Sequence, residues 1–272
     1  MATNEIKQGL RDRKTWNSSH LLYKDDSGFD MTWFYRIKEV DRRLSYSAVR
    51  ISLMVLDVGG AKGVDSFVFA EKGAFVTNLD INGPALKKGV KYAQDLGLDS
   101  CLNFIQASAT ALPFRPQVFD AITCFSTLDH LPSKESACLA VNEFSRVARK
   151  RGHVVITVPN TLFFVGTVSM RIKNLTEPEE FFEQRFSPKE LFCAMSEFGL
   201  TPVAFDSEFP TIASPAILIF HFPKLFRRMP GMMTFLDMGA TFFAKISKMS
   251  LTKLFGARMG YLSVKTGNCI SK

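Results

Sequence analysis

A chain of 272 residues, 46% hydrophobic and 22% charged, suits one large domain or one domain with an elaborate insertion, and its composition excludes a disordered protein. Five scattered cysteines (Cys101, Cys124, Cys138, Cys193, Cys269), odd in number and without a C-x-x-C pair, argue against a disulfide frame or a zinc site and for reduced thiols in a cytoplasmic protein. The net charge of +8 is concentrated in residues 209–260, where Lys224, Arg227, Arg228, Lys245, Lys248, Lys253 and Arg258 face Asp237 alone, so a general nucleic-acid-binding surface is not indicated.

In chain order, residues 1–50 read as polar and helical, with an aromatic knot at "MTWFYRI" (31–37) and no apolar core of a secretory signal. "LMVLDV" (53–58) reads as a buried strand and Val64–Lys72 as a helix. "AFVTNLDI" (74–81) is a strand, followed by a helix from Pro84 to Leu96 with proline in its first turn. "CLNFIQA" (101–107) and "VFDAITCF" (118–125) are strands. Ser133 is placed to cap a helix running to Lys150, with apolar spacing at Leu139, Phe144 and Val147. "GHVVITVP" (152–159) is the next strand. A helix follows at Pro188–Phe198, capped by Ser187 and closed by Gly199. "LTPVAFDSEF" (200–209) and "GYLSVKT" (260–266) are the last strands. This alternation predicts a mostly parallel α/β sheet covered on both faces.

No run reaches the roughly 18 uncharged apolar residues of a spanning helix. The longest candidate, "FPTIASPAILIFHFP" (209–223), is short and carries three prolines, so a soluble protein is expected.

The turn after the first strand, "LDVGGAKGVDS", has the glycines that let backbone approach a ligand at the carboxyl end of a sheet. It does not contain the dinucleotide fingerprint G-x-G-x-x-G in any register, which disfavours a nicotinamide dehydrogenase. What remains is D-x-G-x-A-x-G, from Asp57 to Gly63, with Asp80 closing the second strand 17 residues later. An acid there can accept hydrogen bonds from both ribose hydroxyls of a dinucleotide or of a related nucleoside cofactor.

This turn resembles the first motif of the class I S-adenosylmethionine (SAM) methyltransferases, D/E-x-G-x-G-x-G, with Ala61 at the second glycine. "ASATALPFRPQVFDAITCFSTLDHLP" (107–132), "NEFSRVARKRGHVVITVPN" (142–160) and "RFSPKELFCAMSEFGLTPV" (185–203) resemble later segments of the small-molecule members, in the correct order. Among these, the resemblance is nearest to the broad group holding quinone-biosynthesis methyltransferases. It implies a Rossmann-like sheet, mostly parallel with its last strand antiparallel, and helices on both faces. N-terminal helices and a hydrophobic helical insertion before the last strand complete that fold. The expected divisions are a lid at 1–50, a SAM-binding core at 51–208, the insertion at 209–259, and a last strand with tail at 260–272.

Carried over by position, Asp57, Gly59, Gly60 and Gly63 would form the turn at the methionine end of SAM. Asp80 would hold the ribose, and Ile81 would pack on the adenine. Ser108 and Ala109 stand where the family has Asp-Ala near the adenine amine, and Phe125 and Ser126 would border the methyl donor. Lys62 is expected in solvent. Methyl transfer is a displacement at an activated carbon, so the protein positions the nucleophile and needs a base only to remove a proton. His130, in "LDHLP", is the candidate base, with Asp129 to orient its ring; the alternative is a packed or substrate-lining histidine. "STLDH" is similar to the E-x-x-E-H metal site of some quinone O-methyltransferases but has Ser126 for the first acid, so no metal is expected. His20, His153 and His221 show no partner pattern.

Residues 209–259 hold eight phenylalanines and six methionines among their basic residues. They suit a lid over a hydrophobic acceptor, a contact with an anionic membrane surface, or a dimer interface. The resulting expectation is a SAM-dependent methyltransferase acting on an O or C atom of a small hydrophobic or lipid-like acceptor, cytoplasmic or peripheral on a membrane. The alternatives are a SAM-binding regulatory protein without catalysis and a methyltransferase of RNA or protein, although the N/D-P-P-Y signature of amino methylation is absent.

Overall fold

The computed structural model describes residues 39–49, 53–163, 167, 183–208, 254 and 256–266. Most of the expected N-terminal lid and nearly all of the expected insertion therefore lie outside the described residues. The elements are α1 (Glu39–Ala48), β1 (Met54–Val58), α2 (Val64–Glu71), β2 (Phe75–Asp80), α3 (Gly83–Leu96), β3 (Leu102–Gln106), β4 (Phe119–Phe125), a 3-10 turn (Leu128–His130), α4 (Lys134–Val147), β5 (Ala148–Pro159), α5 (Pro188–Glu197), β6 (Leu200–Glu208) and β7 (Arg258–Lys265).

Seven strands form one sheet in the order β3-β2-β1-β4-β5-β7-β6. The first five run parallel, and β7 enters antiparallel between β5 and β6. The strand order reverses between β1 and β4, which opens a crevice beyond their carboxyl ends. The interior strands are apolar on both faces because both are covered. Leu56 and Ile122 pack with α4 and α5, while their neighbours Val55 and Ala121 pack with α1 and α2. Burial of each large side chain, such as Phe67 on one face or Phe144 on the other, contributes roughly 1.5–3 kcal/mol.

Local chemistry sets the helix ends. Asn82 accepts from the Ala85 N–H ahead of Pro84, Ser133 accepts from the Ser136 N–H, and Ser187 forms a reciprocal capping box with Glu190. Gly199, at φ +72°, ends the last turn after α5.

Two expectations are corrected here. The helix expected to reach Lys150 stops at Val147, because Ala148 already pairs with Phe119 in the sheet. Between that pair and Ala121–His153 the chain bulges, with Arg151 at φ +62° and Arg149 ion-paired to Asp120. Leu139, read as part of the apolar stripe, is 56% exposed; the buried face of α4 is Ala137, Ala140, Val141, Phe144 and Val147. In addition, β7 begins at Arg258, two residues ahead of the expected strand.

Candidate functional site

The carboxyl ends of β1, β2 and β4 converge on the turn 59–63. Asp57 lies near the end of β1 and is buried. Its Oδ2 accepts the Ser66 hydroxyl at 2.6 Å and its Oδ1 the Thr123 hydroxyl at 2.8 Å. These bonds tie the start of α2 and the neighbouring strand to β1.

Gly59 takes φ +74° and donates its N–H to the Leu79 carbonyl at 2.7 Å, so the chain leaves β1 leaning on β2. A Cβ on Gly59 would come 1.9 Å from Oγ1 of Thr127, the residue just past β4. Ala61 adopts φ +48°, a conformation unfavourable for a residue with a Cβ. Its N–H is held by Asp80 Oδ2 at 2.8 Å, while Asp80 Oδ1 accepts the Asn82 N–H at 2.8 Å. Thus the family's second glycine is dispensable here because a carboxylate fixes the alanine backbone. Each such charge-assisted bond is worth about 1.5–3 kcal/mol. Gly63, at φ +88°, closes the turn onto the Gly60 carbonyl at 2.7 Å and opens α2.

Beneath the turn lies fully buried Asn78. Neither its amide nitrogen nor its oxygen has a hydrogen-bond partner, and a Cβ on Gly60 or Gly63 would press on that amide.

Two cavities flank this turn. The smaller, about 120 Å³, is lined by Asp57 to Lys62, Val64, Asp65 and Phe125. Lys62 is partly exposed at the edge of this cavity. The larger, about 240 Å³, is lined by Val58, Gly59, Leu79, Asp80, Ile81, Ala107, Ser108, Ala109, Ser126, Thr127, His130 and Leu131. Val58 and Gly59 belong to both cavities.

Every expected catalytic or cofactor-binding residue except Asp129 and Gly63 lines one of these two spaces. Phe125 and Ser126 border different ones, because Ser126 turns the chain at φ +47°. Ile81 is 74% exposed at the rim. The Ser108 hydroxyl pairs with Thr110 Oγ1 at 2.8 Å.

His130 lines the larger cavity, its side chain 46% exposed. Nε2 lies 3.5 Å from Oδ2 of Asp129, which is 98% buried and whose Oδ1 has no hydrogen-bond partner. Burial pushes the Asp129 carboxyl up, opposed by His130, Arg258 and Arg185.

Sequence reasoning missed the residues behind this pair. Gln184 Nε2 donates to the carbonyls of Leu128, Leu131 and Ser133 at 3.0–3.1 Å, and its N–H to the Asp129 carbonyl, so it staples the 3-10 turn. Its neighbours Glu183 and Arg185 are ion-paired at 3.2 Å, and burial pushes the Glu183 carboxyl up as well. Arg258, counted in the sequence among the basic residues of the insertion, is buried. It grips Asp41 of α1 at 3.0–3.1 Å and Thr157 of β5 at 3.0 Å. A basic residue beside a strand pattern gave no signal of such a partner 217 positions away.

Residues 56–156 match the family model described as a methyltransferase domain. The ubiquinone/menaquinone biosynthesis C-methyltransferase UbiE of Rhizobium meliloti is 35% identical over 105 residues, 38% of this chain and 40% of that protein. The ubiquinone biosynthesis O-methyltransferase of Vibrio atlanticus is 28% identical over 158 residues, 54% of this chain and 65% of that protein. The chain thus spans about two fifths of the length of that UbiE relative and under two thirds of the O-methyltransferase. Among solved structures, a putative sarcosine dimethylglycine methyltransferase from Galdieria sulphuraria superposes with a TM-score of 0.58 at 19% identity, covering 84% of this chain and 86% of that one. The cyclase SpnF superposes with a TM-score of 0.59 at 13% identity, covering 89% and 86%. These likenesses establish the shared fold, the Rossmann-like sheet of the class I SAM-dependent methyltransferases.

Proposed function

We propose, from the premise that the chain is built on a class I SAM-dependent methyltransferase domain, that it transfers the methyl group of SAM to an O or C atom of a small, hydrophobic, quinone-like acceptor. The observation that carries this reading is the junction at Gly59. There the smaller cavity beside Asp57 meets the larger one, which brings Asp80, Ile81 and His130 to a single space.

The cofactor would lie across both cavities. Asp57, Gly59, Gly60 and Gly63 would face its methionine end, where the Asp57 charge complements the ammonium. Asp80, whose oxygens are oriented by two backbone N–H groups, would accept the ribose hydroxyls. Ile81, Ser108 and Ala109 would cover the adenine, and exposed Ile81 gains a partner there. Phe125 and Ser126 would border the sulfonium. SAM supplies the activated methyl carbon. His130 takes a proton from the acceptor, and buried Asp129 orients the ring. C- and O-methylating quinone enzymes among the relatives support a quinone-like acceptor.

Among the described residues no helix is long and apolar enough to cross a membrane. The segment 209–257, of which 209–253 lie outside the described residues, is proposed as the acceptor's cover, with Lys224, Arg227 and Arg228 meeting anionic headgroups; co-sedimentation with anionic vesicles tests this.

Titration calorimetry with SAM and NAD tests the cofactor. Saturable SAM binding and no NAD binding are expected, and absence of SAM binding at millimolar concentration would sink the proposal. Incubation with labelled SAM and a panel of quinols and phenols then reads the acceptor.

A further inference from the structure

Across the middle of the sheet, Thr123, Asp57, Asn78 and Phe104 stand at neighbouring register positions on β4, β1, β2 and β3. The first three are polar and at most 2% exposed, so they form a buried polar row. Thr123 Oγ1 donates to Asp57 Oδ1 at 2.8 Å, and the Ser66 hydroxyl of α2 donates to Asp57 Oδ2 at 2.6 Å. Asn78 is the exception in this row. Its side chain lines neither cavity, and among the described residues neither its amide nitrogen nor its oxygen has a hydrogen-bond partner. A leucine of nearly the same shape would carry no such penalty at a buried position.

The turn 59–63 lies directly on this amide. A Cβ on Gly60 would stand 2.7 Å from Asn78 Nδ2 and 2.7 Å from Asp57 Oδ2, and one on Gly63 would stand 2.9 Å from Nδ2. Glycine at both positions therefore lets bare backbone come down on the amide, yet the two do not bond. Two residues further along β2, on the same face, Asp80 already grips the turn through the Ala61 N–H at 2.8 Å. The turn is thus fastened at Asp80 and unfastened above Asn78, with Ala61 kept at φ +48°. Unpaired buried polar groups and strained backbone gather where a ligand completes the structure.

We propose that Asn78 is a positioning residue for SAM: when the cofactor occupies the turn, the backbone from Gly60 to Gly63 settles onto the Asn78 amide and bonds to it. This rests on SAM binding at the turn. In the bound state Nδ2 also comes within reach of Asp57 Oδ2, and so fixes the carboxylate that meets the cofactor's ammonium. Asn78 itself touches neither cofactor nor acceptor. The side chain that weakens the free chain thereby strengthens the complex.

Asn78→Leu separates this role from packing, because the two expected effects have opposite signs. The free variant should unfold at the same or a higher urea concentration than wild type, since an unpaired polar group is gone. Its SAM affinity in titration calorimetry should fall about fivefold, as hydrogen bonds formed only in the complex are lost. Asn78→Thr keeps one hydroxyl and should recover part of that affinity. Unchanged SAM affinity in Asn78→Leu overturns the proposal. A folded but less stable free variant also overturns it, because the amide is then already paired without ligand. If Asn78→Leu does not fold, the wild type decides alone. The side-chain NH2 resonances of Asn78, assigned through Asn78→Thr, should shift and exchange more slowly with solvent when S-adenosylhomocysteine saturates the full chain. Resonances that stay where they are overturn the proposal. Wild-type calorimetry keeps the two readings apart. No SAM binding ends methyl transfer, while SAM binding with an unmoved Asn78 amide ends only the role of Asn78.

Discussion

The two ends of the cavity pair are built by different means. At the glycine-turn end, the stretch from Asp57 to Asn82 supplies the turn, both carboxylates and, Thr123 apart, the groups that bond to them. At the His130 end, charged side chains arrive from α1, the 3-10 turn, the segment before α5 and β7. The first is a local device that tolerates divergence elsewhere in the chain. The second exists only after the whole sheet has closed, so its energy is tied to the tertiary fold.

The largest expected effect lies at the assembled end. Arg258→Met leaves Asp41 buried without its guanidinium and should cost about 3–5 kcal/mol in urea unfolding. Adding Asp41→Asn should recover most of that loss. If the single variant is as stable as wild type, the cluster is not an integral part of the fold.

At the local end, Gly59→Ala drives a methyl into Thr127 and forces a residue with a Cβ to φ +74°. A loss of about 2 kcal/mol or more is expected, with SAM affinity falling at least about tenfold in calorimetry. The Gly59→Ala, Thr127→Ala pair should regain the clash but not the backbone strain, which leaves about 1 kcal/mol unrecovered.

A smaller effect sharpens the contrast outside either end. Ser187→Ala removes the capping box of α5 and should lower stability by about 1 kcal/mol with SAM binding unchanged.

Asp129→Asn should move stability in the opposite direction. The Asp129 carboxyl is pushed up in the folded chain, so the ionised side chain lowers stability once the pH lies above its folded-state value. The asparagine variant should therefore unfold at the same or higher urea concentration than wild type at pH 8. That advantage should close as pH falls and wild-type Asp129 takes up its proton. A variant less stable at pH 8 would mean that the His130 and Arg contacts outweigh burial.

The same contrast explains what the sequence revealed. All seven strands, the capping residues Ser133 and Ser187 and the order of the turn residues were readable because neighbours in sequence create them. Asp57, Asp80 and His130 could be singled out because each lies at, or a few residues past, the carboxyl end of a readable strand. Leu139 was misassigned because spacing alone cannot tell which apolar position on α4 points to the sheet; that depends on where α5 packs. The end of α4 was overrun because Arg149 and Lys150 are good helix formers, and only pairing of Ala148 with Phe119 overrides them. Arg258 was counted only among the basic residues of 209–260, since Asp41 comes near it through the antiparallel insertion of β7.

That insertion also dictates when the protein can be finished. During synthesis β5 presents an open flank, and β6 has no neighbour to bind, until residues 258–265 have emerged behind the long segment 209–257. The last strand brings Arg258 to Asp41 at one end and, at the other, Lys265 Nζ to the Ser145 and Ala148 carbonyls at 2.6 and 3.0 Å. A chain that stops before residue 258 would thus have its glycine turn complete in sequence but leave β5 with an unpaired edge, a substrate for chaperones and proteases.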